Sequence, residues 1–324
     1  MKKILMTISF LSAFMAFGEY SAKFINAMRK GAETSVEIRI YDDDGAPVSN
    51  ATVHVCYDVG KGRSEVFGKT DGSGVFLFER KTNGYGEIYV TKDGFYNSAS
   101  RFSFIDMGKE HEVANGAWQP SPSSLSILIR KIHKPLHLIS KYDWVDVPTT
   151  NQWISFDMMK QDWLPPYGKG ITEDFRIFFL WNGKKPNESA EASLVLKLAS
   201  DEPRAYVCQR HSDSEFSYSY NAVTNKFTDN EFRWDFHYEN GRCVEQFMDA
   251  NVELILRTRC NTNQITKVIS YNYGRIYKMP FSGGWHGKGG IGLFYDFNPT
   301  PNDTNLEFDP NRNLVKKQLG KFQL

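Results

Sequence analysis

Short segments in which apolar and polar residues alternate recur along this chain. The clearest is residues 232–238, where Phe, Trp, Phe and Tyr alternate with Arg, Asp and His. Another begins at Val36 and continues through Ile38 and Ile40, with polar residues between them. A period of two residues is typical of a half-buried β-strand, because successive side chains point to opposite faces of a sheet. The alternation therefore predicts an all-β protein.

Turn sequences divide the first third of the chain into short strands. The turns are DDDGAP at 42–47, TDGSG at 70–74 and NG at 83–84, and glycines at 45, 72 and 74 allow positive φ there. Strands at this spacing indicate a small antiparallel β-sandwich that closes with a last strand at 125–132. The side chains expected to face its interior are Val36, Ile38, Val53, Val55, Phe76 and Phe78.

Three blocks in this stretch also carry a family resemblance. They are V-x-I-x-I-x-D-D-x-G-x-P-V-x-x-A-x-V-x-V, then T-D-G-x-G-x-F-x-F, then Y-V-x-K-D-G-F, all within residues 34–105. In this order they resemble the carboxypeptidase regulatory-like domain, a transthyretin-like β-sandwich. The resemblance implies a non-catalytic accessory module of secreted bacterial proteins, and it brings no active site to this chain.

The first residues have the order of a secretory signal. Two lysines precede an apolar run at 4–17 that is too short to span a bilayer, and Ala16 and Gly18 have the spacing of a cleavage site. The alternative is a buried N-terminal helix. We expect a signal peptide at 1–18, a mature chain that begins at Glu19, and a secreted or periplasmic location. No later segment is apolar for long enough to insert into a membrane.

Charge excludes some partners. Lys and Arg number 39 against 38 Asp and Glu, for a net charge of +1. Nucleic-acid binding and docking on anionic membranes both need a basic surface, so neither partner is expected.

The four cysteines show no C-x-x-C spacing, which argues against a zinc knuckle or a redox motif. Export to an oxidising compartment favours disulfides. We expect one bridge among Cys208, Cys243 and Cys260, with Cys56 unpaired as a small core residue.

The chain length of 324 residues is typical of about two domains. Residues 19–133 form the predicted first sandwich. Residues 134–324 are aromatic-rich with further alternating segments, which predicts a larger β-sandwich or jelly-roll-like domain.

Aromatic residues, 15% of the chain, supply the candidate binding site. Exposed rings in a secreted sandwich can stack on the apolar faces of sugars, whereas buried rings fill a core. The candidate ligand-binding residues are Trp153, Asp157, Asp162, Trp163, Tyr167, Trp285 and His286. Trp285 and His286 lie in a glycine-rich stretch for which a flexible hairpin loop is the alternative.

The sequence contains no G-x-S-x-G and no H-E-x-x-H motif and its 7 histidines are scattered, so no metal site and no cofactor are expected. The favoured function is a non-enzymatic binding or structural protein, with a glycan or another cell-envelope component as its partner. The alternative is a polysaccharide-active enzyme, such as a glycoside hydrolase, which needs two carboxylates facing each other across a cleft of the second domain.

Overall fold

A computed structural model of the chain confirms the all-β sandwich class. The structure describes residues 20–106, 109–110, 113–182, 190–200, 202–210, 214–239, 242–246, 252–267, 269–278, 281–282, 290–309 and 314. The predicted signal peptide lies outside these residues. Among the residues described, no helix has the length and apolar character needed to cross a membrane.

The chain forms two compact units. The first contains the described residues up to Ile132 and those of Ser212–Ser217, and the second contains the rest. The sequence division assigned all of 134–324 to one domain. Residues 214–217 are the exception, because they pack within the first unit, where Phe216 stacks on Tyr96 at 5.0 Å. In addition, Glu215 N–H donates to the Asn97 carbonyl at 2.9 Å.

The first unit has one helix and a series of short strands. They are α1 (Ala22–Lys30), β1 (Ala32–Tyr41), β2 (Thr52–Val59), β3 (Gly62–Lys69), β4 (Val75–Thr82), β5 (Tyr85–Thr91), β6 (Ser98–Ser103), β7 (Ile105–Asp106), β8 (Lys109–Glu110), β9 (Val113–Ala114), β10 (Ala117–Trp118) and β11 (Ser123–Leu128).

Two sheets enclose the core of the first unit. In one, β1 pairs with β4 on one side and with β10 and β11 on the other; the second has the order β3-β2-β5-β6. The β1–β11 and β1–β10 pairings are parallel, so the prediction of a purely antiparallel sandwich is wrong. The reason is that β11 enters alongside β1 after a long connection rather than through a hairpin. The predicted inward residues are confirmed, with Phe76 partly buried and the other five fully buried.

Helix α1 was not predicted. Ser21 caps it by accepting a hydrogen bond from Phe24 N–H at 3.2 Å, and Phe24 and Ala27 are buried one turn apart. Phe24 packs edge-on against Trp118 at 5.6 Å. The helix therefore adds an aromatic cover to the sandwich core, and its three-residue apolar spacing is the signal that the strand-based interpretation overlooked.

The turn glycines differ in what they require. Gly45 and Gly74 use this freedom, with φ of 75° and 76°, whereas Gly72 is not among the positive-φ residues. In the first turn Asp42 Oδ1 accepts the N–H groups of Asp44 and Ala46 at 3.0 and 2.9 Å. This pattern makes the Asp-rich segment a self-bonded polar turn.

The second unit is built from longer strands. They are β12 (Ile139–Asp146), β13 (Trp153–Asp157), β14 (Asp162–Trp163), β15 (Phe175–Trp181), β16 (Ala190–Leu198), β17 (Ala205–Gln209), β18 (Glu231–Glu239), β19 (Arg242–Gln246), β20 (Val252–Thr262), β21 (Ile269–Lys278), β22 (Phe281–Ser282) and β23 (Gly290–Asn298).

Two six-stranded sheets form a larger sandwich. One has the order β12-β23-β21-β20-β17, with β22 beside β23, and the other has the order β14-β13-β15-β16-β18-β19. Their inner faces share one apolar core that includes Phe156, Phe175, Leu194, Leu256 and Tyr295. The outer side of the first sheet carries a smaller cluster around Tyr206, Ile255, Tyr273 and Leu306.

The expected disulfide is wrong. Cys208 and Cys260 are both free thiols, so neither is bridged to the other or to Cys243, whose side chain lies outside the description. Cys208 stands opposite Glu253 in the β17–β20 register. Cys260 lies seven residues further along β20, roughly 20 Å away at strand geometry, whereas a disulfide needs Cα atoms about 4.4–6.8 Å apart.

Candidate functional site

The structure divides the seven predicted site residues into three groups. Trp153 and Tyr167 are 42% and 39% exposed, while Trp163 is 7% exposed and Asp157 is buried. Asp162 begins strand β14, and Trp285 and His286 lie outside the described residues. The predicted cluster is therefore not one site, and its exposed and buried members are best considered separately.

Trp153 lies on the outer face of the β14-β13-β15-β16-β18-β19 sheet. Its neighbour Ile154 points into the core, so the alternation directs Trp153 outward. Phe178 of β15 is its cross-strand partner, with ring centroids 5.5 Å apart. The Arg176 guanidinium carbon lies 5.0 Å from the Trp153 ring centroid. This cation–π contact orients the indole ring while leaving a large part of it in solvent.

Polar side chains precede and follow Trp153 in the chain and make hydrogen bonds of their own. Gln152 Nε2 donates to Tyr167 Oη at 2.6 Å and to Thr149 Oγ1 at 2.9 Å, which ties the Tyr167 ring to the residue preceding Trp153. Next to the Trp153 position on β13, Ser155 Oγ donates to Glu173 Oε2 at 2.5 Å. We call the set Gln152, Trp153, Tyr167, Arg176 and Phe178 the Trp153 platform.

The loop that presents Tyr167 is held tightly. Asp162 Oδ1 accepts Trp163 N–H and Asp162 Oδ2 accepts Lys169 N–H, both at 2.9 Å. A Cβ at Gly168 would lie 2.3 Å from the Trp163 carbonyl oxygen, so glycine is needed for this close approach. Asp162 therefore positions Tyr167 through the loop backbone.

Trp163 belongs to the core. Its ring packs edge-on against Phe156 at 5.1 Å, and its Nε1–H donates to the Asp146 carbonyl at 3.2 Å. A buried indole with its one donor satisfied fills space in the sandwich and offers no surface to a ligand. The burial and packing of Trp163 agree with the alternative that these rings fill the core.

Asp157 is also structural. Its carboxylate accepts N–H groups from Lys160, Ile171 and Thr172 at 2.9, 2.9 and 3.0 Å. Its Oδ1 lies 2.6 Å from Arg259 Nη2. Burial acts to raise the pKa of Asp157, but the three backbone hydrogen bonds and the guanidinium outweigh it, and the net shift is downward.

Asp174 shares the same guanidinium. Arg259 Nη2 lies 2.7 Å from Asp174 Oδ2, and Thr258 Oγ1 and Met158 N–H also donate to this carboxylate. Burial raises the pKa of Asp174 despite these bonds. A cavity of about 360 Å³ opens beside the pair, lined also by Glu173, Arg204 and Cys260. Because Arg259 lies between the two carboxylates, they do not face a space in which a glycosidic bond could lie.

The outer face continues as a charged band across β16 and β18. Ser193 Oγ donates to Asp235 at 2.5 Å and Arg233 lies 2.9 Å from the same carboxylate; these contacts lower the pKa of Asp235. His237 Nδ1 lies 2.6 Å from Glu191, and this hydrogen bond raises the pKa of His237. The band gives the face hydrogen-bonding groups of both charges beyond the aromatic ring.

Comparisons with known proteins leave the function open. No protein-family model and no curated protein sequence matches the chain. A 3-chlorocatechol 1,2-dioxygenase from Rhodococcus opacus is 10% identical over 32% of this chain and 62% of that chain, with a TM-score of 0.26. Fervidolysin from Fervidobacterium pennivorans is 11% identical over 83% of this chain and 31% of that one, with a TM-score of 0.20.

A Bacteroides uniformis protein named for carbohydrate binding is 8% identical over 84% of this chain and 100% of that chain, with a TM-score of 0.19. The chain spans less than two thirds of the length of the dioxygenase. TM-scores this low do not define a shared fold.

Proposed function

We propose that this chain is a non-catalytic binding protein that recognises a glycan through the Trp153 platform. The observation that carries the proposal is the exposure of the Trp153 ring on a rigid sheet, with polar groups around it. A pyranose ring has an apolar face of C–H groups that stacks on an indole, and its hydroxyls need hydrogen-bonding partners at the edge of that ring. Gln152, Tyr167 and Arg176 supply such partners within one patch.

The site chemistry gives less support to a polysaccharide-active enzyme. Asp157 and Asp174, which the fold brings together, are both bound to Arg259. A general acid needs a carboxyl group that can reach the substrate, and a nucleophile needs a free carboxylate at a set distance from it. The carboxylates of Asp157 and Asp174 instead hold loops and strands together.

The proposal includes export and an accessory first unit. The two lysines, apolar run and small residues at the start of the chain support secretion or a periplasmic location. The three sequence blocks at 34–105 support a carboxypeptidase regulatory-like module. Intact-mass measurement of exported protein should give a chain that begins at Glu19, and retention of Met1 would contradict export by cleavage.

A glycan-array screen of the mature protein tests the proposed binding. Trp153→Ala should weaken binding of any glycan that scores by about 1–3 kcal/mol, in the manner of aromatic hot spots at other interfaces. Trp144→Ala is the matched control, because Trp144 is 46% exposed but lies on β12 of the other sheet. Binding by the wild type that both variants retain equally would rule out the Trp153 platform as the site.

A further inference from the structure

Neighbouring strands of the first unit bring a histidine, a cysteine and a glutamate together. His54 and Cys56 alternate along β2 with the core residues Val53 and Val55, so both lie on the outer face of the β3-β2-β5-β6 sheet. Glu65 of β3 is the direct cross-strand partner of Cys56. Cys56 is unpaired and buried, as predicted, although its thiol lies on this polar face and outside the apolar cluster of the first unit.

The donor atoms of these three side chains meet at one point. His54 Nε2 lies 3.0 Å from Glu65 Oε2 and 3.2 Å from Cys56 Sγ, and the three ligand atoms all lie within 4.8 Å of one another. Ligands of a tetrahedral zinc ion, with bonds of about 2.0–2.3 Å, are themselves separated by roughly 3.3–3.8 Å. Small side-chain rotations therefore suffice to place one ion between them.

We propose that His54, Cys56 and Glu65 bind a single Zn²⁺ ion. Imidazole, thiolate and carboxylate are the three zinc ligand types in proteins, and a thiolate disfavours the hard cations Mg²⁺ and Ca²⁺. Three protein ligands leave the fourth tetrahedral position to water or to a group from a partner. Cys56 is buried, His54 is partly exposed and Glu65 is exposed, so solvent reaches the cluster at Glu65.

The surroundings of the cluster suit such an ion. Phe67 stacks on the His54 imidazole with centroids 4.0 Å apart and planes within 8°, which fixes the ring orientation as outer-shell groups do in zinc sites. Arg63 of the same sheet lies 2.6 Å from Glu87, so this cation is paired with a carboxylate outside the cluster.

A purely hydrogen-bonded cluster accounts for less of this geometry. His54 Nε2 carries at most one hydrogen, yet Glu65 and Cys56 are both within hydrogen-bond distance of it. One of these two contacts is therefore not served by that hydrogen. A metal ion uses all three groups at once as ligands.

Cobalt substitution tests the proposal on the full reduced mature chain. The wild type should bind one equivalent of Co²⁺ with a sulfur-to-cobalt charge-transfer band in the near ultraviolet, and Zn²⁺ should displace it. Cys56→Ser should abolish the band. Glu65→Gln should weaken Zn²⁺ binding by about 10- to 100-fold or more, the range found when the outer shell of a metal site is damaged. Since Glu65 is 61% exposed, this variant should keep its fold.

Two control variants keep the test specific. Cys260→Ser removes another free thiol, and His237→Ala breaks a second cross-strand His–Glu pair that has no thiol in its described contacts. Both should bind Co²⁺ like the wild type. At the same Zn²⁺ concentration, Zn²⁺ should also raise the melting temperature of the wild type by more than that of Glu65→Gln. Absence of the band in the wild type, its survival in Cys56→Ser, or its loss in Cys260→Ser would overturn the proposal.

Discussion

The guanidinium of Arg259 lies 2.6 Å from the carboxylate of Asp157, a residue 102 positions earlier in the chain. Asp174, the residue directly before β15, binds the same guanidinium at 2.7 Å. Both carboxylates are essentially inaccessible to solvent. Buried charges of this kind persist only when paired and hydrogen-bonded, so Arg259 is required by both aspartates.

Replacement of Arg259 by Met should therefore be strongly destabilising. The variant leaves two buried carboxylates without their cation, and the expected loss is about 3–5 kcal/mol in the free energy of unfolding. Arg39→Met is the control, since Arg39 pairs with Glu37 at 2.7 Å on the surface and should change stability by less than about 1 kcal/mol. Urea denaturation of both variants measures the difference, and equal losses would contradict a special role for Arg259.

The two tryptophans of the predicted cluster should respond in opposite ways to truncation. Trp163→Ala leaves a cavity in the core and should cost about 3–5 kcal/mol of stability. Trp153→Ala removes an exposed ring and should cost less than about 1 kcal/mol. Thermal or chemical denaturation measures both, and a large loss at Trp153 would mean that its ring is a packing residue.

Two glycines of one turn provide a test of backbone strain. A Cβ at Gly74 would lie 2.7 Å from the Ile40 carbonyl oxygen, at a φ of +76°, whereas a Cβ at Gly72 meets nothing within 4 Å. Gly74→Ala should lower stability by more than about 1 kcal/mol, and Gly72→Ala should be close to neutral. Equal melting temperatures for the two variants would show that this turn tolerates a side chain at Gly74.

His237 should titrate above its ordinary range. The hydrogen bond to Glu191 raises its pKa above 6.5. A raised histidine pKa stabilises the folded state at pH values below the unfolded pKa, and this contribution disappears as the pH rises through the folded pKa. NMR titration of the imidazole should show the upward shift, and Glu191→Gln should reduce it. A normal pKa in the wild type would mean that the pair does not form in solution.

The free thiols should differ in reactivity. Cys260 is exposed, whereas burial raises the pKa of the Cys208 thiol. Because the thiolate is the reactive form, an alkylating reagent should modify Cys260 before Cys208 in the folded protein. Peptide mapping after timed alkylation measures the order. A disulfide-linked peptide that contains either residue would contradict their free state.

The parts of the fold that were predictable are those in which burial alternates strictly. In β1 the buried and partly exposed positions alternate along the strand, so the pattern identifies both the element and its inner face. Strand β3, with the sequence GRSEVFGK, has no fully buried residue and gives no such signal. It belongs to the sheet because its backbone pairs with β2. Backbone hydrogen bonds do not depend on the type of side chain, so this pairing cannot be predicted from the composition of the strand.

Sequence patterns predicted which types of residue make up the candidate sites, but not which of these residues are exposed or which distant residues they contact. Trp153 and Trp163 are ten residues apart and look alike in sequence. In the fold, Trp153 of β13 is exposed, whereas Trp163 of β14 is buried. The partner of Asp157 is a distant arginine that no local pattern indicates. The His-x-Cys spacing at 54–56 did carry a local signal, since alternate residues of a strand share a face, but the third member came from the neighbouring strand.

Residues 214–217 belong to the first unit, and this affects where the chain can be cut to express that unit by itself. Arg130 Nη1 donates to the Phe216 carbonyl at 3.0 Å, and the Arg130 guanidinium lies over the Phe216 ring at 5.3 Å. A fragment that stops at Ile132 would lack both contacts and would expose the face of Tyr96 that Phe216 covers. Expression of the first module by itself should therefore require the short later segment to be supplied, either as a grafted tail or as a peptide added in trans.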